Sequence, residues 1–419
     1  MTVAKAEETP GTKSTLPHGW RWVRLGDICD INPSRPAGFR RASDALTTFV
    51  PMSAVDEHQG VILNSEIRPF SEVAKGYTFF SEGDILFAKI TPCMQNGKQA
   101  IARGLIDGIG FGSTEFHIIR PRPGVASEWI HRFVRQPHVL STAANHFTGA
   151  VGQQRVPESF LASLEIPLPS IDGQDRIMHI VNEQMTAVEK ARAAVEVRLE
   201  AAKALPAVYL RQVFPKPGQE LPFGWQWVRL KDVCDVVNGF GFPEHLQGRT
   251  DLPYPFIKVS DMNAPGAERV VTFAANTVNQ EVLKLIGGRV YPCGTVIFPK
   301  VGGALLTNKK RILGTTACFD NNVMGIVPKN VASDYAFYWF QTIDLRTLAN
   351  VQALPSVKQS SVAALELPLP PLAEQKRIVA MLNERMGAVG EIAQTIHRAL
   401  ETINALPAAF LRQAFTGGL

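Results

Sequence analysis

The sequence predicts an α+β protein of mixed α/β domains built twice over. Two tandem domains are joined by two long helices that form an antiparallel coiled coil, and the whole is a pseudo-two-fold internal repeat. Three observations predict this. The first is an opening that occurs twice. Leu16-Pro17-His18-Gly19-Trp20-Arg21-Trp22-Val23-Arg24-Leu25-Gly26-Asp27-Ile28-Cys29-Asp30 returns as Leu221-Pro222-Phe223-Gly224-Trp225-Gln226-Trp227-Val228-Arg229-Leu230-Lys231-Asp232-Val233-Cys234-Asp235, eleven identities in fifteen positions, 205 residues apart. The second is a closing echo, Leu164-Glu165-Ile166-Pro167-Leu168-Pro169 against Leu365-Glu366-Leu367-Pro368-Leu369-Pro370. The third is a heptad seam behind each close. A repeat of about 200 residues is far longer than a solenoid unit, so each copy is expected to carry its own core.

Element by element, residues 1–15 read as a disordered polar leader and residues 16–170 as the first domain. Residues 171–214 form a central spacer helix, 215–370 the second domain, and 371–419 a C-terminal spacer helix and tail. In the first domain, Phe79 to Phe87 and Phe116 to Ile119 read as strands and Glu128 to Arg135 as a short helix. In the second, Pro255 to Val259 and Thr295 to Phe298 read as strands and Tyr335 to Leu348 as a helix. The edges of the halves agree while their middles diverge, as expected if the ends keep a common task.

The seam of the first helix is Met178, Val181, Met185, Val188, Arg192, Val195, Leu199 and Ala202, spaced 3, 4, 3, 4, 3, 4, 3. Val379, Leu382, Met386, Val389, Ala393, Ile396, Leu400 and Ile403 repeat it, each 201 residues beyond its counterpart. That is the a/d pattern of a left-handed coiled coil, so the two helices are expected to pair into a rod of about 40 Å. The alternative is two amphipathic helices, each packed on its own domain. Pro206 and Pro407 fall at matching places late in each pattern, where a lost amide and a ring clash are expected to kink or stop the helix.

Composition narrows the function. The chain is 45% hydrophobic, as in a globular protein with substantial cores, and its formal charge is +5. No stretch reaches 18 apolar residues, so no membrane span and no secretion are expected. Five cysteines lack C-x-x-C spacing, and Cys29 and Cys234, matched in the repeats, read as small core residues in a reducing cytoplasm. The basic excess is local. Val282 to Phe319 holds Lys284, Arg289, Lys300, Lys309, Lys310 and Arg311 with no acid, and the first half has shorter acid-free runs around Lys89 and Lys98 and around Arg155. Such stretches suit a surface lying along phosphates, although any one of these cations can equally sit on a solvated face. The loops Gly149 to Arg155, with Gln153, and Leu354 to Ser360, with Lys358, occupy equivalent places and are candidate phosphate clamps. Asn308 beside Lys309 is a further candidate.

No catalytic constellation emerges. G-x-x-x-x-G-K-[ST], H-E-x-x-H and G-x-S-x-G are all absent. Asn32-Pro33-Ser34-Arg35 lacks the aromatic residue that an amino-methylating site needs for stacking a flipped base, and Gly239-Phe240-Gly241-Phe242 runs into Pro243. A self-contained DNA adenine methyltransferase is therefore a weaker alternative than a coiled-coil nucleic-acid-binding adaptor.

Together with the Leu-Pro-x-Gly-Trp openings, further motifs carry a resemblance. They are Ile90-Thr91-Pro92-Cys93 with Asn96-Gly97-Lys98, Ile257 to Met262, and the Gln174, Arg176, Ile177 and Gln375, Arg377, Ile378 helix starts. The chain, over residues 16–419, resembles the specificity subunits of type I restriction-modification systems. The resemblance implies a non-catalytic subunit with two target recognition domains, each reading half of a divided double-stranded DNA target, and two helices serving as a ruler and as docking sites. The implied partners are two modification subunits, which take part in DNA methylation, and restriction subunits. S-adenosylmethionine, ATP and Mg would belong to those partners, with no cofactor and no metal on this chain. It assigns DNA contact to Lys89, Lys98, Arg155, Lys300, Lys309, Lys310, Arg311 and Lys358, and subunit docking to the helical segments that hold the seam. The second half lacks the Thr-Pro-Cys and Asn-Gly-Lys signature, so its half-site is expected to differ.

Overall fold

The computed structural model describes residues 16–150, 154–350 and 354–419. The chain divides into two compact units, one made of the residues up to Val195 together with Ala399–Leu419, the other of Glu196–Arg398. In the first unit the strands are β1 Arg21–Arg24, β2 Cys29–Ile31, β3 Leu46–Val50, β4 Glu66–Pro69, β5 Thr78–Ser81, β6 Ile85–Ala88, β7 Gln99–Ile101, β8 Ile109–Gly112, β9 Phe116–Pro121 and β10 Glu165–Leu168. The second has β11 Gln226–Arg229, β12 Cys234–Asn238, β13 Tyr254–Ile257, β14 Val270–Val271, β15 Thr277–Val278, β16 Val296–Pro299, β17 Arg311–Leu313, β18 Cys318–Phe319, β19 Val323–Pro328 and β20 Glu366–Leu369.

The two echoes of the sequence are hydrogen-bonded partners. β1 pairs antiparallel with β10, placing Trp22 opposite Pro167, and β11 pairs with β20, placing Trp227 opposite Pro368. Each half is thus closed by pairing its opening segment with its closing one, and both segments recur in the other half. The central sheets also repeat, with order β2-β9-β6-β7 in the first unit and β12-β19-β16-β17 in the second, where β14 extends the edge. A second layer follows in each, β4-β3-β8-β5 and β15-β13-β18, each containing one parallel pair, β3 with β8 and β13 with β18. Glycine is required at Gly110, where a Cβ would lie 2.4 Å from the Phe80 ring.

Two sequence expectations change here. The run Phe79 to Phe87 is two strands in two different sheets, because Gly83 takes φ 84° and turns the chain between β5 and β6. The run Tyr335 to Leu348 is the helix Ser333–Gln341 and then a single turn, Leu345–Leu348, separated where the Asp344 carboxylate accepts from the Arg346 amide and caps the second piece.

The long helices are Ile171–Val213 and Leu372–Thr416, and both run through their prolines. The expected stop at Pro206 and Pro407 does not occur. Past each proline the chain still buries side chains, Leu210 and, just beyond the helix end, Phe214 in the core of the second unit, and Ala414 and Phe415 in that of the first. Burying Leu210 with Phe214, or Phe415 with Ala414 and part of Leu411, is worth several kcal/mol, enough to offset the ~3 kcal/mol that an interior proline costs.

Seam residues face inward throughout. Met178, Val181, Val188, Leu199, Leu382 and Val389 are buried, and Met185, Val195, Val379, Met386, Ile396, Leu400 and Ile403 are half-buried. In the first unit Ile177, Met178 and Val181 share a core with Ala414 and Phe415, and in the second Leu210 and Phe214 share one with Ile378 and Leu382. The beginning of one long helix therefore lies in the same core as the end of the other, which is the antiparallel order. The first turns of each helix also pack on their own domain, so the seam serves both arrangements that the sequence left open.

The Cys29 and Cys234 thiols are buried, and that burial pushes both up to about 12. Among the described residues no helix is long and apolar enough to cross a membrane.

Candidate nucleic-acid interface

Lys89 stands just past the end of β6, and its backbone is held from both sides. Its amide donates to the Glu115 carbonyl at 2.9 Å and its carbonyl accepts from the Val156 amide at 2.9 Å. Two residues further on, the Thr91 amide donates to the Gln154 carbonyl at 3.0 Å, so residues 154–156 are laid against the strand end. The second unit repeats this frame. Lys300, just past β16, donates to the Asn322 carbonyl and accepts from the Val357 amide, each at 2.9 Å, and the Gly302 amide donates to the Pro355 carbonyl at 2.8 Å. Lys89 and Lys300 are therefore equivalent, as are the loops of which Arg155 and Ser356 are members. The reason is local: an apolar strand ending in Lys (Ile85 to Lys89, Val296 to Lys300) leaves the cation at the sheet's rim, where a loop can pair with it.

Side chains around the two frames differ. In the first, Arg155 meets Glu115 through two parallel bonds, Nε to Oε2 at 2.9 Å and Nη2 to Oε1 at 2.7 Å. The Arg155 guanidinium holds the Glu115 carboxyl below its ordinary range. Beneath this pair His117 Nε2 lies 2.8 Å from the Val156 carbonyl, which requires a proton there and leaves Nδ1 to accept from Asn32 Nδ2 at 3.0 Å. Burial lowers the His117 pKa, so the ring is neutral at physiological pH. In the second frame Lys300 Nζ donates to Asn238 Oδ1 at 2.8 Å, and burial lowers its pKa. Asn32 and Asn238 reach matching partners, Glu158 Oε2 at 2.7 Å and Gln359 Oε1 at 2.6 Å. One frame thus carries carboxylates where the other carries neutral amides, a difference in hydrogen-bonding character between two copies of one scaffold.

The structure brings Lys89 together with Arg155, and Lys300 with Lys358, which follows Val357 and is exposed. It removes others from any contact surface. Lys310 is only 1% exposed, and its Nζ donates to Asn308 Oδ1 at 2.9 Å and to the Ile343 carbonyl at 2.5 Å. The expected DNA contact at Lys310 is corrected on that ground. Asn308 is half-buried; its Oδ1 also accepts from the Leu345 amide, and its backbone sits at φ 55°, so that oxygen ties a turn together. The acid-free run misled because it folds through this turn and points its members in different directions. Arg311 is half-buried and donates to the Lys310 carbonyl, while Lys309 reaches Asn263 Oδ1. Lys98 donates to the carbonyls of Val55 at 3.2 Å and Met52 at 3.4 Å, bracing a loop. Gln153 lies outside the described residues. Gln359 belongs to the loop Leu354 to Ser360 already a candidate from the sequence, whereas Glu115, Glu158, Asn32 and Asn238 were not singled out as contacts; the signal available for them was adjacency to the paired loops and to the strand-end lysines.

A tandem pair of like mixed α/β domains, each with a strand-end lysine framed by a loop and each leading into a long helix, defines the class. The chain belongs to the type I restriction modification DNA specificity domain family, whose model matches it twice, over residues 17–195 and 222–401. It is 34% identical over 226 residues to the type I restriction enzyme EcoEI specificity subunit of Escherichia coli and 31% identical over 223 residues to the EcoAI specificity subunit of the same organism. Each match covers 53% of this chain, and the chain spans 37% of the length of either relative. The HsdS subunit from Thermoanaerobacter tengcongensis shares the fold, with a TM-score of 0.69, 24% identity, and 97% of this chain and 99% of that one covered. A structure described under complex assembly and conformational transition of the type I R-M system gives a TM-score of 0.79 at 23% identity over 97% of this chain and all of the other.

Proposed function

We propose that this chain is the DNA-reading subunit of a type I restriction-modification complex, in which each domain contacts one half of a divided double-stranded target. The observation that carries the reading is the repeated frame at Lys89 and Lys300, two cations held at equivalent strand ends beside unlike loops in two domains of a DNA specificity family. Equivalent placement fits a common phosphate contact, and the exchange of Glu115 and Glu158 for Asn322 and Gln359 fits different base preferences in the two halves. In this reading the long helices act as the spacer. Modification subunits dock on their outward faces, where Val197 is 70% exposed, and restriction subunits join through them. Catalysis, S-adenosylmethionine, ATP and Mg enter with those partners, and the complex works in the cytoplasm of the host.

Titration of the chain with its modification subunit against duplex DNA at several salt concentrations tests this. Lys89→Ala and Lys300→Ala are each expected to weaken binding to all sequences and to reduce the log–log salt slope by about 1. Affinity and slope unchanged in both variants would remove the strand-end lysines from the interface. Methylation by the isolated chain would replace a reading subunit with an enzyme.

A further inference from the structure

Each long helix is fastened to the domain before it by the same two side chains. Gln174, in the first turn of Ile171–Val213, is 0% exposed and uses both ends of its amide. Its Oε1 accepts from the Ala126 amide at 2.8 Å, and its Nε2 donates to the carbonyls of Pro169 at 3.1 Å and Gly124 at 3.2 Å. Gln375 repeats this at the start of Leu372–Thr416: it is 2% exposed, accepts from the Ala332 amide at 2.9 Å and donates to the Pro370 carbonyl at 2.9 Å. Ala126 and Ala332 each precede a domain helix, Ser127–Val134 and Ser333–Gln341, so one amide group joins the start of the domain helix to the start of the long one.

The second fastening lies eight residues along in both helices, at Asn182 and Asn383. Asn182 Oδ1 accepts from Arg132 Nη2 at 3.0 Å and its Nδ2 donates to Glu128 Oε2 at 3.2 Å. Asn383 Oδ1 accepts from the Tyr338 hydroxyl at 2.6 Å and from Arg269 Nη1 at 2.9 Å, and Arg269 is in turn paired with Asp334. Eight residues of helix put the two fastenings about 12 Å apart along the axis. A single anchor lets a rod pivot; two at that separation fix its direction as well as its position. The apolar contacts of Ile177, Met178 and Val181 cannot do this alone, because burial is non-directional and tolerates sliding.

We propose that Gln174 with Asn182, and Gln375 with Asn383, are positioning residues that set the angle between each recognition domain and its long helix. They thereby hold the number of base pairs between the two half-sites to one value. This rests on the DNA reading above. The chain, complexed with its modification subunit, is used to enrich duplexes from a random-sequence pool, and the enriched half-sites and their separations are read by sequencing. Four variants are compared with the wild type: Gln174→Leu, Gln375→Leu, and, on the more accessible helix face where folding is not at risk, Asn182→Ala and Asn383→Ala. The expected result is unchanged half-site sequences, with separations one base pair shorter or longer rising at least about fivefold relative to the wild type, since each variant removes two or three hydrogen bonds and one ordinary bond alone accounts for about that factor. Variants that enrich the single wild-type separation, whether at full or at reduced yield, overturn the positioning role while leaving the DNA reading intact. A wild-type complex that enriches no divided sequence overturns that reading and the spacing role with it.

Discussion

Lys310 shows how a cation counted from sequence can belong to the interior. Burial pushes its ammonium down to about 8; it donates to Asn308 and to the Ile343 carbonyl and lies 5.5 Å from the Phe340 ring centroid, with no carboxylate bonded to it among the described residues. Between that value and the ordinary lysine range the unfolded chain binds more protons than the folded one, so this residue's contribution to stability rises with pH across the window. Below about 8 the folded protein carries the full cost of the buried charge. Lys310→Met is therefore expected to alter stability most favourably at neutral pH. Its advantage over the wild type should shrink by at most about 3 kcal/mol between pH 8 and 10.5, with DNA affinity unchanged. Paired denaturant melts at those pH values check the sign; an advantage that grows with pH would contradict it. Trp129 and Tyr335 make the complementary point. They occupy matched positions in Ser127–Val134 and Ser333–Gln341 and, though chemically different, donate to matched carbonyls, Trp129 Nε1 to Pro167 at 3.0 Å and the Tyr335 hydroxyl to Pro368 at 2.6 Å. Tyr335→Phe leaves that buried carbonyl without its donor and is expected to cost about 1–3 kcal/mol, read in the melting of the second unit.

Among elements, the long helices were the most legible part of the sequence and also the part most easily cut short. Their a/d period identified the inward face correctly because burial selects apolar side chains at that spacing wherever the partner lies. Pro206 and Pro407 were expected to end or kink them because a proline's local penalty is visible in sequence, whereas the buried contacts beyond it are not. Those contacts can be weighed. Phe415 is 6% exposed and sits 4.4 Å from the Trp129 ring and 5.2 Å from that of Phe133, centroid to centroid. Phe415→Ala is expected to destabilise the first unit by about 3–5 kcal/mol and to leave the second unchanged. Hydrogen exchange resolved by peptide separates the two, and equal loss of protection in both would refute the assignment. The fastenings at Asn182 and Asn383 escaped sequence reading for a different reason. Polar residues on a helix flank look solvated until the domain supplies Arg132, Glu128, Tyr338 and Arg269 from remote parts of the chain.

For the molecule as a whole, the duplication was readable because the segments that recur are the ones that pair to close each half. β1 with β10 and β11 with β20 are the seams that close each half, and a change on one strand is felt by the other. The sheet order β2-β9-β6-β7 recurring as β12-β19-β16-β17 was not readable, since strand neighbours far apart in sequence leave no local trace. The candidate interface was half legible. Strand-end lysines and paired loops were found through matching position, while charge counting also drew in residues that a turn directs inward. The two units are built differently from the chain. The second, Glu196–Arg398, is one continuous stretch, whereas the first needs Ala399–Leu419. A fragment of residues 196–398 is expected to show native-like amide protection. A fragment of residues 1–195 is expected to regain cooperative melting only when a peptide of residues 399–419 is added. Cooperative melting of 1–195 alone, at the stability it has with the peptide, would show that the tail is dispensable.

Ribosomal synthesis gives that division an order in time. The half that is made first must wait, its Trp129 pocket open, until the last helical turns leave the exit tunnel, while the later half can already have closed. A nascent chain stalled before residue 411 would present the earlier domain to chaperones and proteases as an unfinished product.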